Sequence, residues 1–144
     1  MLILSFVVFV FMVPQVFSQA ERFVHQQASA KKSSKLDSIP EAKEAELNAI
    51  RNAKDWTNPY VIVNAIDFEL RLGREERIRK TKLSELEEAI LNLPIERWPL
   101  GLVVAVQESG LRDPGENEVI DQRFEEVQKM LEGHGIKVQL RPSG

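Results

Sequence analysis

The stretch LVVAV, Leu102 to Val106, contains no polar side chain, and three of its five residues are β-branched valines. It is too short for a helix of ordinary length and lacks the alternation of a strand with one wet face, so it predicts a central strand covered on both sides. The rest of the chain must then be arranged around a buried strand. On its C-terminal side, a loop of Gly, Pro and acidic residues from Ser109 to Glu116 leads into a stripe of Ile120, Phe124, Val127 and Leu131. That spacing predicts an amphipathic helix from about Asn117 to Glu132, with Glu118 and Asp121 complementing its positive end and Gly133 as its C-cap. Ile136, Val138 and Leu140 then alternate as a last strand. Strand, helix and strand in that order favour a parallel pair with the helix crossing over one face.

On the N-terminal side, Ser84 and Glu87 have capping-box spacing. Leu86, Ala89, Ile90 and Leu93 fall on one helical face before Pro94 ends the pattern. Before this helix, Tyr60, Ile62, Ile66, Phe68, Leu70 and Leu72 share one face of a single period-two strand. Val61, Val63 and Ala65, then Asp67, Glu69 and Arg71, occupy the other. Gly73 to Glu76 reads as a turn, and Arg77 to Lys82 returns as a basic strand, although no Asn-Gly or Asp-Gly pins the hairpin register. The expected order is β-β-α-β-α-β. This is an α+β fold, a two-layer sandwich whose mixed sheet carries its helices on one face, over residues 58–141.

Two further segments precede that domain. Residues 1–20, MLILSFVVFVFMVPQVFSQA, carry no charged side chain. Met1 to Val13 would span roughly 20 Å as a helix, short of the roughly 30 Å hydrocarbon core, which favours a cleaved signal peptide over a membrane anchor. Small residues at Ser18 and Ala20 suit processing there, so the chain is expected to be exported, periplasmic or secreted, and held at a membrane only if the leader stays. Residues 21–57 read as a linker. ERFVHQQASAKKSSKLD has the composition of a solvated tether, and a helix is expected near 39–55, opened by Ser38 and Glu41 and carrying a shallow stripe of Ala42, Ala45, Ala49, Ile50 and Ala53.

Composition narrows the functional classes. The chain has 144 residues, 43% hydrophobic and 28% charged, with a net charge of −3, which offers no general affinity for nucleic acid. It has no cysteine, so disulfides, thiolate metal sites and thiol redox chemistry are excluded. Its two histidines, His25 and His134, are far apart, and no Gly-x-Ser-x-Gly elbow or Gly-Lys-Ser/Thr phosphate loop is present. The acids around Ser109 to Asn117 would repel a phosphate and lack the spacing of a Ca²⁺ loop. No catalytic residue, cofactor or metal is therefore expected. Trp98 reads as a plug between helix and strand, and Trp56 and Tyr60 as closing the start of the domain.

From about Tyr60 to Leu140 the chain resembles the periplasmic domain of the ExbD/TolR family of energy-coupling membrane subunits. The resembling residues are Leu83-Ser84-Glu85-Leu86-Glu87, the Leu102 to Val106 strand, and Phe124, Val127, Met130 and Leu131 running into Gly135-Ile136-Lys137-Val138. The resemblance implies the fold and dimerisation. It does not imply proton coupling, because Met1 to Val13 holds no acid and Gln107-Glu108 stands where the family often has Ala-Asp.

The surface feature with the most chemistry is the basic hairpin, Arg71, Arg74, Arg77, Arg79, Lys80 and Lys82. One reading is a docking site for an anionic partner, an acidic envelope protein, a cell-wall polymer or lipid headgroups. The other is an edge strand whose charges discourage aggregation. The function expected is that of an exported, non-catalytic interaction domain. The alternatives are a small secreted ligand-binding or hydrolytic enzyme using the 109–117 loop, and a homodimeric structural subunit pairing through the hairpin or the last strand.

Overall fold

The computed structural model describes residues 35–110 and 113–141. After a short helix α1 (Glu44–Ala49) come β1 (Tyr60–Val63), β2 (Phe68–Leu72), β3 (Glu76–Lys80), α2 (Leu83–Leu91), β4 (Val103–Glu108), α3 (Asn117–Gly133) and β5 (Lys137–Arg141). The strands form one mixed sheet in the order β3-β2-β1-β4-β5. The two hairpins β1–β2 and β2–β3 are antiparallel, and β1–β4 and β4–β5 are parallel. The fold is α+β, and the LVVAV run forms an interior strand covered on both faces as expected, between β1 and β5: Val103, Val104, Ala105 and Val106 are all fully buried.

Five strands appear where the hydrophobic pattern suggests four. The segment from Tyr60 to Leu72 is not one strand, because the chain reverses between Val63 and Phe68. Asn64 closes that turn, its N–H donating to the Asp67 carbonyl at 3.0 Å and its Nδ2 to Asp67 Oδ1 at 2.6 Å. Short polar side chains of this kind satisfy the backbone locally and compete with strand extension. Ile66, placed by its parity on the apolar face, sits at the tip and is 78% exposed. The reversal also exchanges faces. Val61 lies opposite Leu70 and Val63 opposite Phe68, so it is these valines, not Tyr60 and Ile62, that share a face with Phe68, Leu70 and Leu72.

That front face carries α2 and α3. Leu86, Ile90 and Leu91 from α2 and Ile120, Val127 and Leu131 from α3 pack with Val61, Val63, Phe68, Leu70, Val104 and Val106, and Trp98 plugs the same cluster. The cap details differ from the sequence patterns. Lys82, not Ser84, holds the N-cap position of α2, without a side-chain bond, because the helix starts early enough to turn Leu83 onto the core. At the end of α3 the helix runs through Gly133, and Gly135 at φ +73° makes the reversal. Gly135 N–H donates to the Glu132 carbonyl and Ile136 N–H to that of Leu131, at 2.9 and 3.0 Å, a Schellman closure that also brings Ile136 against Leu131 in the core.

The back face has its own, smaller cover. Leu47, Trp56, Tyr60, Val103 and Ala105 are buried together, with Ala42, Ile50, Ile62 and Leu100 against them. Four large side chains of the linker segment thus pack on the sheet, Leu36 and Ile39 into the front cluster and Leu47 and Trp56 onto the back. The helix within them is only Glu44–Ala49, and Ser38 Oγ donates to the Lys35 carbonyl instead of capping it. Ala45, Ala49 and Ala53 are exposed, so the burial rests on the larger side chains. The expected leader over 1–20 and the tether up to residue 34 lie outside the described residues. Among the described residues no helix is long and apolar enough to cross a membrane.

Candidate functional site

The β1–β2 reversal sets Tyr60 directly beside Arg71, and the β2–β3 register sets Arg71 opposite Arg77 and Glu69 opposite Arg79, all on the back face. Like charges directly across a ladder repel, so the arrangement needs local compensation. Glu69 supplies it. Buried to 7% exposure, it accepts from Arg71 Nε at 2.6 Å and lies 3.6 Å from Arg79 Nη2, while Arg79 Nη1 also reaches Asp67 Oδ2 at 3.3 Å. Arg74, in the turn at Gly73, and Arg77 have no carboxylate partner among the described residues.

These residues open onto a cleft of about 240 Å³ between the hairpin and the segment that covers the back face. Four cations line it, Lys54, Arg71, Arg74 and Arg77, around Trp56, Tyr60 and Gln107, and no Asp or Glu is among the lining residues. The wall opposite the hairpin is held by side-chain bonds. Trp56 Nε1 donates to the Pro59 carbonyl at 3.1 Å, and the Arg141 guanidinium stacks 5.0 Å from the centre of the indole ring. Arg141 Nη1 donates to the Ile50 carbonyl at 3.3 Å, while its Nε and Nη2 are buried without a hydrogen-bond partner among the described residues.

Tyr60 donates its hydroxyl to Gln107 Oε1. Burial raises the phenol above its ordinary value near 10, and the neighbouring Arg71 and Arg141 pull in the opposite direction without reversing it. Tyr60 is therefore a neutral donor at physiological pH. The folded state holds this proton more tightly than the unfolded one, so its contribution to stability is complete below about pH 10 and is lost as pH rises through the folded-state value. Because Tyr60 is the only tyrosine, phenolate absorbance reads it alone. The titration of the folded chain should lie above that of the urea-unfolded chain. Tyr60→Phe should flatten part of the fall in melting temperature between pH 9 and 11, and coincident titrations would contradict this.

Of the six basic residues singled out from sequence, Arg71, Arg74 and Arg77 meet in the cleft. Arg79 is tied to Asp67 and Glu69, Lys80 lies opposite Phe68 on the other face, and Lys82 stands at the start of α2. Sequence reasoning missed Lys54, Gln107 and Arg141, and assigned Tyr60 to the opposite face. The visible signal was the Asn64–Asp67 turn, which reverses parity. At the other candidate location, Asp113 and Glu116 close a local turn through Glu116 N–H to the Asp113 carbonyl at 2.9 Å. His134 Nε2 lies 2.6 Å from Glu87 Oε1, joining α3 to α2. Among the described residues no group of three or more His, Cys, Asp or Glu is placed to hold a metal ion.

No family model, curated protein or solved structure matches this chain.

Proposed function

We propose that the chain is an exported, non-catalytic interaction domain, of the kind that the ExbD/TolR resemblance implies, and that it holds an anionic envelope partner in the back-face cleft. The observation that carries this reading is the convergence of Lys54, Arg71, Arg74 and Arg77 on one concavity with no carboxylate in its lining, in a chain whose net charge is −3. Such a cleft concentrates positive potential where a ligand can enter, raising the association rate for acidic partners. The donor inventory supports binding over catalysis. Guanidinium, ammonium and amide N–H groups line the cleft, and neither a carboxylate nor an imidazole is among the lining residues to take a proton at neutral pH.

The test is binding of the full chain to polyglutamate, followed at low and at high salt. Arg74→Gln combined with Arg77→Gln should weaken binding roughly tenfold, since each rim contact of this type contributes about 1 kcal/mol or less. Lys80→Gln combined with Lys82→Gln removes the same charge away from the cleft and should change affinity about twofold or less on the same scale. Equal losses from the two pairs would mean that net charge, and not the cleft, governs binding. Both pairs sit on exposed or half-buried positions, so the fold is retained.

A further inference from the structure

Resting on the reading of the cleft as the binding site, we infer that its occupant is a phosphomonoester, borne either by a small phosphorylated compound or by a lipid headgroup.

Charge balance makes the first distinction. Of the four cations lining the cleft only Arg71 has a carboxylate partner among the described residues, Glu69, so among these residues three positive charges stand uncompensated, at Lys54, Arg74 and Arg77. A single carboxylate would balance one of them. A phosphomonoester carries a charge of about −1.5 to −2 near neutral pH and offers three acceptor oxygens. The half-buried Arg141, with two buried nitrogens unpartnered among the described residues and its guanidinium against Trp56, adds positive potential next to the same wall.

Donor geometry points the same way. Arg71 spends its Nε on Glu69 Oε1 at 2.6 Å, which orients the guanidinium and leaves both Nη groups for a bidentate contact. The mutually opposed Arg71 and Arg77 then approach an oxyanion from neighbouring strands, and Lys54 approaches from the opposite wall. A planar carboxylate has two oxygens to share among these donors, whereas a tetrahedral phosphate can meet donors on several sides at once.

Size sets the last limit. About 240 Å³ is below the 300–1,000 Å³ common for drug-sized ligands, enough for a phosphate and a small organic group. The organic part has an indole edge and an amide to meet. Gln107 uses Oε1 to accept from Tyr60, which leaves its Nε2 to donate.

The deciding experiment is ¹H–¹⁵N NMR of the full chain, reading the Trp56 indole N–H and the Gln107 side-chain amide. Inorganic phosphate, glycerol 3-phosphate and acetate are titrated at constant ionic strength. Saturable shifts are expected with both phosphates, with affinity at least tenfold above acetate. Arg77→Gln and, from the opposite wall, Lys54→Gln should each weaken the phosphates several-fold, and Lys82→Gln should leave them unchanged. Shifts that do not saturate, acetate binding as well as phosphate, or indifference to both cleft variants would overturn the assignment. If polyglutamate binding still depends on Arg74 and Arg77 in that case, the cleft remains the binding site and only the ligand class fails. If polyglutamate binding is also indifferent, both readings fail. Sedimentation with phosphatidylcholine vesicles, with and without phosphatidic acid, separates the sources. Arg77-dependent capture by phosphatidic acid assigns the lipid headgroup, and saturation by glycerol 3-phosphate without vesicle capture assigns a soluble phosphomonoester.

Discussion

Asn58→Ala is expected to destabilise the fold by about 3–5 kcal/mol, a large share of the roughly 5–15 kcal/mol that holds a domain of this size together. Asn58 is 1% exposed and satisfies three backbone groups just ahead of and within β4. Its Nδ2 donates to the carbonyls of Gly101 and Val103 at 2.7 and 2.8 Å, and its Oδ1 accepts from Leu100 N–H at 2.8 Å. Alanine removes all three bonds at once, and although the Gly101 carbonyl still accepts from Val103 N–H at 2.8 Å, the Val103 carbonyl and the Leu100 N–H lose the partner that Asn58 gave them. Each buried backbone group left unpaired costs about 1–3 kcal/mol, reduced where water can reach it, as it can at the half-buried Leu100. Asn58→Asp is the informative companion. It keeps the acceptor for Leu100 but turns a donor into a negative oxygen facing two carbonyls, so it should be no milder than alanine. Urea unfolding followed by fluorescence measures both variants, and a loss below about 1 kcal/mol for alanine would show that this tie is not made in solution.

Gly101→Ala should cost about 3 kcal/mol or more, for two additive reasons. Gly101 has φ +83°, a left-handed conformation that costs a residue with a Cβ roughly 1–2 kcal/mol. The added carbon would also lie 2.7 Å from the Pro40 carbonyl oxygen, 2.8 Å from that of Glu41 and 2.9 Å from Ala42 Cα. All three are backbone atoms, so no flexible side chain can yield. The segment must move, and the Leu102 N–H to Pro40 carbonyl bond of 2.8 Å goes with it. Gly73 separates the two causes: its φ is +75° and a Cβ there meets nothing within 4 Å, so Gly73→Ala should pay only the conformational part, about 1 kcal/mol. If the two variants unfold at the same urea concentration, the close crossing at Gly101 is absent. If Gly101→Ala is the weaker by the expected margin, limited proteolysis should also cut it faster between residues 40 and 56, because the strap over the back face has lost its seat.

Both variants act where the chain covers the second face of the sheet, and this region was the least legible from sequence. Residues 36 to 56 read as the end of a solvated tether and, near 39–55, a linker helix that packs weakly or lies at the domain edge, because its stripe is mostly alanine. They are ordered by a few large side chains, Leu36, Ile39, Leu47 and Trp56, that find apolar surface on elements far along the chain. Composition averages over such residues and does not register what they meet. The capping boxes at Ser38 and Ser84 misled for a related reason. A local signal of about 1 kcal/mol yielded to the burial of a neighbouring leucine or isoleucine, which contributes more.

The candidate site was half legible. The basic hairpin stands out as a charge run, but a charge run has no face until the register is known. Reading Tyr60 to Leu72 as one strand put Tyr60 with Phe68 and Leu70, and Arg71 on the opposite side. Four residues of turn, Asn64 to Asp67, reverse the chain so that Tyr60 and Arg71 stand side by side. The polar pair Asn64 and Asp67 was the signal for this, outweighed by the apolar alternation running through them.

The α+β class, the two amphipathic crossover helices and the doubly buried β4 are legible in the residues alone, because each follows from a period or a composition contained within one element. Which faces meet emerges only on folding: the split of the first strand, the strap across the back of the sheet, and the cleft where Lys54, Arg71, Arg74 and Arg77 converge. The reason is physical. Side-chain period is a local property of the backbone, but the face a residue presents beyond a turn depends on how many residues the turn consumes, and the order of a weakly apolar segment depends on the surface that distant strands offer it.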